Sequence, residues 1–306
     1  MKHVTIVGAG AMGCLFGARL AEAGAEVTLV DVDAGRVAVL AKDGVLLHDD
    51  AGERRVALNA ALAADAGPAD LVLFFTKGMH TTAAARSVAH LAQGGAVALT
   101  LQNGLGNAEA IAEVFAPERV LMGVTDVPGD LEPPNHVSSH GSGKVVIGGL
   151  VPEAQAHAEA AGALLDKAGW QVVVDPQVQV AVWEKAGFNA ALNAISTILR
   201  VPVGGMDNAP CRRVASAVLD EVCAAAKARG LELDRERLDS RVDFGLANHK
   251  AHKPSMLQDR LAGRPTEVET INGAIVRLAA EVGVATPVTQ ALADLVRAGE
   301  VQGSGA

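Results

Sequence analysis

The sequence has few aromatic residues and no excess of basic ones. Its 306 residues include no tyrosine and only 3% aromatics, and its formal net charge is −9. Nucleic-acid surfaces need basic stripes and stacking rings, so we expect no nucleic-acid partner. No uninterrupted apolar stretch reaches about 18 residues, the length that spans a bilayer, and the first residues carry no signal-peptide pattern. We therefore expect a cytoplasmic protein with no membrane partner.

Cysteines and metal-ligand patterns are also sparse. The cysteines, Cys14, Cys211 and Cys223, are odd in number and lack metal-ligand spacing, which favours a reducing compartment and core packing. The nearest approach to a metal pair is His249-x-x-His252, which has no third ligand of suitable type and spacing nearby. Zinc sites need three or four protein ligands, so the sequence predicts no metal site.

What the sequence does contain is a glycine cluster near its start. A β-branched apolar run at 3–7 is followed by Gly8-x-Gly10-x-x-Gly13 and then by a helical apolar pattern. This order is typical of the first strand, turn and helix of a dinucleotide-binding unit, in which the helix N-terminus holds a diphosphate. Gly8 would permit the tight turn, Gly10 the approach of the diphosphate, and Gly13 the close packing of helix on strand. The predicted cofactor contacts are Gly8, Gly10, Ala11, Met12 and Gly13.

Asp31 follows the next predicted strand, residues 26–30. An acid at this place accepts hydrogen bonds from the ribose hydroxyls, and its charge opposes a 2′-phosphate. It therefore favours NAD(H) over NADP(H). Val32 is not basic, and Arg36 is the nearby candidate to hold a phosphate. The alternative is that Asp31 merely ends a strand.

The pattern of a parallel sheet continues as far as residue 175. The predicted strands are 45–48, 55–58, 69–76, 96–100, 120–124, 144–148 and 170–174, with a hairpin at 45–58 and a helix at 80–92. Strands as continuously apolar as 69–76 are typical of a sheet buried on both faces. A chain of this length is expected to form two domains. Asp175-Pro176 marks the predicted boundary between a dinucleotide-binding domain, 1–175, and a helical substrate domain, 176–306.

Two polar residues follow predicted strands of this sheet. Lys77 comes after the strand at 69–76, and Asn103 follows the strand at 96–100 with glycines nearby. Open α/β sheets bind ligands at the carboxyl ends of their strands, so both are candidates for the cofactor site. The alternatives are a solvated lysine at a helix start and an ordinary Asn-Gly turn.

Beyond Pro176 the sequence predicts helices only. They lie at 178–199, 211–229, 234–249, 255–262, 267–282 and 287–298. The fold class is therefore α/β, with an N-terminal Rossmann-type domain and a second, all-helical domain. We expect the helical half to dock against the carboxyl edge of the sheet and leave a cleft for a ligand. The alanine-rich helices could bury a partner, which leaves a homodimer open.

The first of these helices carries a polar stripe. Lys185, Asn189 and Asn193 occupy positions i, i+4 and i+8, which is one face of an α-helix. A lysine and two amides among alanines differ from a solvated face, which would mix acids and bases. We predict that the stripe faces a small ligand. The alternative is a lysine that extends to water from a buried helix.

A second polar cluster lies between 252 and 273. Thr266 and Glu269 have the spacing of a capping box, and Glu267 would then lie in the first helical turn, where the helix dipole favours an acid. In the functional alternative, Glu267 projects toward the same cleft as Lys185. Ser255 follows Pro254 and could equally be a helix N-cap.

Together these motifs resemble ketopantoate reductase over nearly the whole chain. The resemblance is carried by the glycine cluster, by L-Q-N-G at 101–104, by W-x-K-x-x-x-N-x-x-x-N at 183–193, by S-M-L-Q-D at 255–259 and by G-R-x-T-E-V-x-x-I-N-G at 263–273. It implies reduction of a 2-oxo acid, 2-dehydropantoate, to (R)-pantoate. It further implies that Lys185 is the acid and that Glu267 is its partner. The substrate contacts that it implies are Asn189, Asn193 and Ser255. The residues that it places beside the nicotinamide are Asn103 and Lys77.

The sequence departs from the family's pattern at two places. The family usually uses NADPH and often has a basic residue where this chain has Asp31-Val32, so NAD(H) is favoured here while NADP(H) stays open. A further substrate-contacting asparagine is replaced by His252, which we group with the substrate-binding residues. A D-2-hydroxyacid dehydrogenase that uses NAD is therefore the alternative activity. A non-catalytic, NAD-sensing regulator is a third hypothesis, against which the polar stripe argues.

The chemistry expected of such a site is the same whichever 2-oxo acid is the substrate. A hydride moves from the nicotinamide to the ketone carbon of a 2-oxo acid, and the ketone oxygen gathers negative charge. The ammonium group of Lys185 could stabilise that oxygen and donate a proton to it.

Overall fold

The protein is described by a computed structural model that covers residues 1–141 and 143–303. The end of the predicted substrate domain, 304–306, lies outside the described residues. The chain divides into two compact units, which are residues 1–102 with 107–178, and residues 103–106 with 179–306. In the described part of the chain, no helix is both long and apolar enough to cross a membrane.

The first unit contains two β-sheets. The strands are β1 (His3–Val7), β2 (Glu26–Val30), β3 (Val45–Asp49), β4 (Gly52–Val56), β5 (Asn59–Ala61), β6 (Leu71–Phe74), β7 (Val97–Thr100), β8 (Val120–Thr125), β9 (Asp130–Glu132), β10 (His136–Ser139), β11 (Lys144–Gly149) and β12 (Gln171–Val174). The larger sheet has the order β12-β11-β8-β7-β6-β1-β2-β5, and the smaller sheet has the order β4-β3-β10-β9.

The larger sheet is parallel except at one pair. Strand β11 runs antiparallel to β8, with Val146 opposite Val124. The chain between these strands forms β9 and β10 of the smaller sheet. A parallel return requires a long crossover, usually helical, and this connection does not supply one. The predicted parallel pattern is therefore wrong at this pair, although β12 pairs parallel to β11 and closes the sheet as expected.

The smaller sheet begins with the predicted hairpin. Strands β3 and β4 pair antiparallel, with Val45 opposite Val56. Strand β10 then joins β3 in parallel and β9 in antiparallel register. The pairing of β10 with β3 brings together segments about ninety positions apart, and short-range alternation does not reveal such partners.

The described part of the first unit contains six α-helices, which lie between its strands in the order of the sequence. They are α1 (Ala11–Glu22), α2 (Ala34–Asp43), α3 (Thr81–Ser87), α4 (Ala89–Gln93), α5 (Asn107–Ala112) and α6 (Gln155–Lys167). The single helix predicted at 80–92 is wrong, because the chain breaks at Val88 between α3 and α4. Short 3₁₀ turns lie at Ala63–Asp65, Gly78–His80, Pro117–Arg119 and Pro152–Ala154.

The core of the first unit forms around the central strands. All four residues of β6 are buried, as its continuous apolar sequence predicts. Phe16 of α1 is fully buried and stacks on Trp170 with 4.1 Å between ring centroids. Phe75 also packs on Phe16, with 4.8 Å between ring centroids, so aromatic packing fixes the helix that follows the glycine cluster.

The second unit is built from helices. They are α7 (Val178–Leu199), α8 (Ala209–Ala228), α9 (Arg235–Asn248), α10 (Ser255–Leu261), α11 (Asn272–Glu281) and α12 (Pro287–Gly303), with a 3₁₀ turn at Val203–Met206. Helix α11 starts five residues later than the predicted 267, so the residues before it form a turn. Small residues permit close packing: a Cβ on Gly187 of α7 would lie 3.0 Å from Val222 of α8.

Candidate functional site

The glycine cluster packs so tightly that two of its positions exclude a side chain. Gly8 has a φ of +104°, and a Cβ there would lie 2.7 Å from the backbone nitrogen of Thr76. A Cβ on Gly13 would overlap the carbonyl oxygen of Gly8. The first turn of α1 is therefore held directly against the end of β1, as a dinucleotide-binding turn requires.

Gly10 differs from these two glycines. A Cβ at this position would meet no atom within 4 Å, so the backbone at the start of α1 borders open space. Gly10 is the N-cap of α1 and makes no side-chain cap, and the first turn contains no acid. Helix geometry leaves the first N–H groups, including those of Ala11 and Met12, without partners inside the helix. This arrangement fits a diphosphate, which helix N-termini bind through such groups.

Asp31 lies just beyond β2 and is half-buried. Its Oδ2 accepts a hydrogen bond from the backbone N–H of Ala9 at 3.0 Å, and its Oδ1 accepts one from Asp33 at 3.0 Å. The acid therefore also supports the glycine cluster. The following side chain, Val32, is 98% exposed and offers no charge to a 2′-phosphate.

A polar network joins the ends of β6 and β7. The Nε2 of Gln102 donates to the carbonyl oxygen of Thr76 at 2.6 Å and to Oγ1 of Thr81 at 2.9 Å. Thr100 donates to Oε1 of the same glutamine at 2.8 Å. Lys77 follows Thr76 and is the N-cap of the short turn Gly78–His80. Sequence reasoning placed Gln102 only in the L-Q-N-G motif and gave it no role, although its position directly before Asn103 was a signal for one.

The predicted polar stripe lies on one continuous helix. Lys185, Asn189 and Asn193 fall within α7 at helical spacing. Both asparagines are buried, with 8% and 6% exposure, and Lys185 is half-buried. One turn further, buried Thr197 donates to the carbonyl oxygen of Asn193 at 2.7 Å. Buried amides must find hydrogen-bond partners, and a polar ligand can supply them.

A neighbouring acid on α7 is neutralised by α9. Glu184 is 4% exposed and forms a bidentate ion pair with Arg237, whose Nε lies 3.2 Å from Oε2. The hydrogen bond to Glu184 raises the pKa of Arg237. Glu184 also accepts from the backbone N–H of Asp234, the N-cap of α9, at 3.3 Å. The Glu184 carboxylate therefore holds the start of α9 against α7.

Asn272 fixes the other side of α7. It is completely buried, and its Nδ2 donates to the carbonyl oxygen of Ala190 at 3.1 Å. Within the described residues, no donor reaches its Oδ1. The bond holds α7 between Asn189 and Asn193. Sequence reasoning placed Asn272 only in a motif, because its partner lies 82 positions away.

Glu267 lies in a turn before α11 and is half-buried. The carbonyl oxygen of Glu267 accepts from the N–H groups of Thr270 and Ile271 at 3.1 and 3.0 Å. The capping box predicted for Thr266 and Glu269 is wrong. Glu269 instead pairs with Arg297 at 2.6 Å, and this pairing lowers the pKa of Glu269.

The turn at 103–106, which contains Asn103, packs on this same segment. The N–H of Leu105 donates to the carbonyl oxygen of Thr270 at 2.8 Å. Gly104 has a φ of +92°, and a Cβ there would overlap that oxygen. The second unit therefore holds Asn103 and Glu267 on two turns that touch.

Ser255 and His252 lie on the segment between α9 and α10. Ser255 is the first residue of α10 and is exposed, and the N-cap is Pro254, so the N-cap alternative for the serine is wrong. His252 is exposed, and its carbonyl oxygen accepts from Val203 at 2.9 Å. No group of three or more metal-ligating side chains occurs among the residues that the structure describes.

An α/β unit with a glycine cluster, together with a helical unit that carries a lysine and two buried amides, defines the class of two-domain nicotinamide-dependent oxidoreductases. The comparisons with known proteins identify the family. Residues 4–152 match "Ketopantoate reductase PanE/ApbA", and residues 177–300 match its C-terminal domain. The chain belongs to the ketopantoate reductase family.

Individual relatives agree with this assignment. A 2-dehydropantoate 2-reductase of Halobacterium salinarum is 33% identical over 98% of this chain and 100% of its own. The structure of a ketopantoate reductase from Ralstonia eutropha JMP134 has a TM-score of 0.91 at 31% identity, covering 99% and 100% of the two chains. A D-mandelate dehydrogenase bound to NADH and anilino(oxo)acetate has a TM-score of 0.94 at 28% identity, with the same coverage.

These findings confirm three predictions from the sequence. The resemblance to ketopantoate reductase is confirmed, as is the α/β fold with a helical second part. The interpretation as an oxidoreductase of the 2-dehydropantoate 2-reductase type is confirmed as well. The boundary at residue 175 and the roles of the individual site residues stay predictions.

Proposed function

We propose that this protein reduces 2-dehydropantoate to (R)-pantoate with NADH, a step of pantothenate biosynthesis. The observation that carries the proposal is the stripe on α7, in which half-buried Lys185 is followed by buried Asn189 and Asn193 on one helical face. A sensor has no use for a proton donor and two buried amides. An enzyme that binds a charged, hydroxylated 2-oxo acid needs both.

The residues of the glycine cluster fit the cofactor. The open space at Gly10 and the N-terminus of α1 suit the diphosphate. The bound nicotinamide supplies the hydride. Asp31 supports NADH over NADPH, because a carboxylate near the ribose would repel a 2′-phosphate. The NADH in the D-mandelate dehydrogenase structure is consistent with this choice, whereas NADPH remains the alternative that the family suggests.

We assign the chemical step to Lys185. Its ammonium group donates a proton to the ketone oxygen as that oxygen becomes negative, and Glu267 holds the ammonium group in its charged form. Asn189, Asn193, Ser255 and His252 bind the carboxylate and hydroxyl groups of the substrate. Lys77 and Asn103 approach the nicotinamide. These roles follow the family's motifs.

The alternative is a D-2-hydroxyacid dehydrogenase with another 2-oxo acid as substrate. Two observations favour it. The D-mandelate dehydrogenase structure has a TM-score of 0.94, and this chain has His252 where the family pattern has an asparagine. An imidazole is larger and flatter than an amide, so it could suit an aromatic 2-oxo acid.

An absorbance assay at 340 nm tests both activities. Purified protein is supplied with NADH or NADPH and with 2-dehydropantoate, phenylglyoxylate or pyruvate. The proposal predicts that kcat/KM is highest for NADH with 2-dehydropantoate. A higher value with phenylglyoxylate would establish the alternative. Oxidation of neither cofactor with any acid, despite binding, would favour the NAD-sensing regulator.

We also propose a homodimer. The apolar faces of α8 and α11, which the sequence suggested as a partner surface, include Val218, Val222 and Ile275, and these are buried within the chain itself. The dimer must therefore use another surface, and the suggested one is wrong. Light scattering coupled to size-exclusion chromatography would show a mass of about twice 31.2 kDa for a dimer.

A further inference from the structure

The peptide groups on both sides of Ala9 are held by three side chains from outside the glycine cluster. The N–H of Ala9 donates to Oδ2 of Asp31 at 3.0 Å. Its carbonyl oxygen accepts from Nη1 of Arg36 at 2.9 Å and from Sγ of Cys14 at 3.3 Å. Ala9 itself is fully buried. Ala9 lies between Gly8 and Gly10, so these contacts fix the turn that would receive the diphosphate.

The thiol at this site acts as a donor and not as a reactive group. Cys14 is completely buried, and this burial raises the pKa of its thiol to about 12. It stays protonated at neutral pH and donates its weak hydrogen bond to Ala9. The remaining, stronger donor to the same oxygen is the guanidinium group of Arg36.

Arg36 is placed for this contact by its own helix. It is the third residue of α2, whose N-cap Asp33 accepts hydrogen bonds from the N–H groups of Gly35 and Arg36 at 2.8 and 3.1 Å. The side chain is half-buried and extends back across the end of β2 to Ala9. From the sequence alone, Arg36 is the nearby candidate to hold a 2′-phosphate, but in the structure its guanidinium group contacts the loop.

We propose that Arg36 is a positioning residue for the diphosphate-binding turn and not a clamp for a 2′-phosphate. With Asp31 it forms a brace on Ala9, in which the acid holds the N–H and the arginine holds the carbonyl oxygen. The brace keeps the N–H groups at the start of α1 directed at the diphosphate, which NADH and NADPH share. The inference rests on the proposed dinucleotide function and adds the residue that shapes its phosphate site.

The two roles of Arg36 make opposite predictions for cofactor binding. A residue that shapes the shared diphosphate site affects NADH and NADPH by the same factor. A residue that holds the 2′-phosphate affects NADPH alone, because NADH has no such group. The ratio of the two dissociation constants therefore separates the roles.

The experiment measures these constants by fluorescence titration of NADH and NADPH with the wild-type protein and with Arg36→Ala and Arg36→Lys. We expect Arg36→Ala to weaken both nucleotides about tenfold, the effect of losing one hydrogen bond to a charged group, with an unchanged ratio. Arg36→Lys, which keeps a charged donor, should restore part of the loss. If the wild-type protein reduces one of the 2-oxo acids, the kcat of Arg36→Ala at saturating NADH should stay within about twofold of the wild-type kcat, because the arginine acts on cofactor binding.

Arg55→Ala is the matched control. Arg55 of β4 also donates to a backbone carbonyl, that of Asp43 at 2.6 Å. Asp43 is the last residue of α2, at the opposite end of that helix from Arg36. Its removal should leave both dissociation constants unchanged. Loss of NADPH affinity alone in Arg36→Ala, or no change for either nucleotide, would overturn the inference. If wild-type protein binds neither nucleotide, the proposed function itself fails.

Discussion

The backbone N–H of Leu105 donates a hydrogen bond of 2.8 Å to the carbonyl oxygen of Thr270. This bond ties the turn that carries Asn103 to the turn that carries Glu267. Gly104 makes the approach possible, since its φ is +92° and a Cβ would overlap the Thr270 oxygen. This backbone contact therefore links the two turns that hold the two predicted site residues.

The contact can be tested with a pair of glycine substitutions. Gly104→Ala should separate the two turns and lower kcat by roughly tenfold or more, because misplacing reacting groups by about 1 Å is costly. Gly106→Ala is the control, since Gly106 has a similar φ of +89° but its Cβ would meet nothing within 4 Å. Equal kcat values for the two variants would show that the contact with Thr270 is unimportant. Thermal unfolding separates this effect from the backbone strain that both share.

Gly10 and Gly13 should respond differently to the same change. An added methyl group at Gly10 enters open space, whereas at Gly13 it overlaps Gly8. We expect Gly10→Ala to keep the melting temperature of wild type but to weaken NADH binding by at least about tenfold, since the methyl would occupy the approach of the diphosphate. Gly13→Ala should both weaken NADH binding and lower the melting temperature. Wild-type NADH affinity in Gly10→Ala would contradict this account of the phosphate site.

The charge of Asp31 should set the preference between cofactors. Asp31→Asn keeps an oxygen that can accept from Ala9 but removes the charge that repels a 2′-phosphate. We expect the ratio of NADPH to NADH affinity to rise up to about tenfold. Asp33→Asn is the matched control, because it removes the same charge two residues away, and asparagine remains a good N-cap. A similar ratio in both variants would mean that Asp31 has no special part in the preference.

Asp49 predicts how stability depends on pH. It is 3% exposed, and hydrogen bonds from Arg54 at 2.7 and 2.9 Å lower its pKa to about 2. Because this pKa lies below the unfolded value of about 3.9, the carboxylate stabilises the native state above that value. The stabilisation, about 3 kcal/mol at most, is lost as the pH falls toward 2.

Urea unfolding of Asp49→Asn tests this dependence. The variant should lose stability at pH 7 and differ less from wild type at pH 3. Asp65→Asn, at an exposed position of the same unit, is the control and should change little. An equal loss for Asp49→Asn at both pH values would show that its charge is not the cause.

Local patterns in the sequence were sufficient for much of the fold. The helix predicted at 178–199 has those bounds in the structure, because an apolar run with helical spacing identifies a long helix without reference to its partners. The buried strand β6 and the hairpin of β3 and β4 follow from equally local signals. The glycine cluster could be placed for the same reason, since its spacing and flanking segments lie within twenty residues.

Features that depend on distant residues were not predicted. The capping box of Thr266 and Glu269 has the right spacing, but Glu269 pairs with Arg297, 28 positions away. The antiparallel pairing of β8 and β11 and the bond from Asn272 to Ala190 likewise join distant segments. Tertiary partners override local propensity at such positions, and no pattern within a short window contains them.

The central claim is that Lys185 is the proton donor, and its replacement tests that claim most directly. Steady-state kinetics with 2-dehydropantoate and fluorescence titration of NADH are measured for wild type, Lys185→Ala and Lys227→Ala, the last being an exposed lysine near the end of α8. We predict that Lys185→Ala lowers turnover by roughly 10² to 10⁴, the range for a positioned acid, with little change in NADH affinity. Lys227→Ala should behave as wild type. Unchanged turnover in Lys185→Ala would contradict the proposed mechanism.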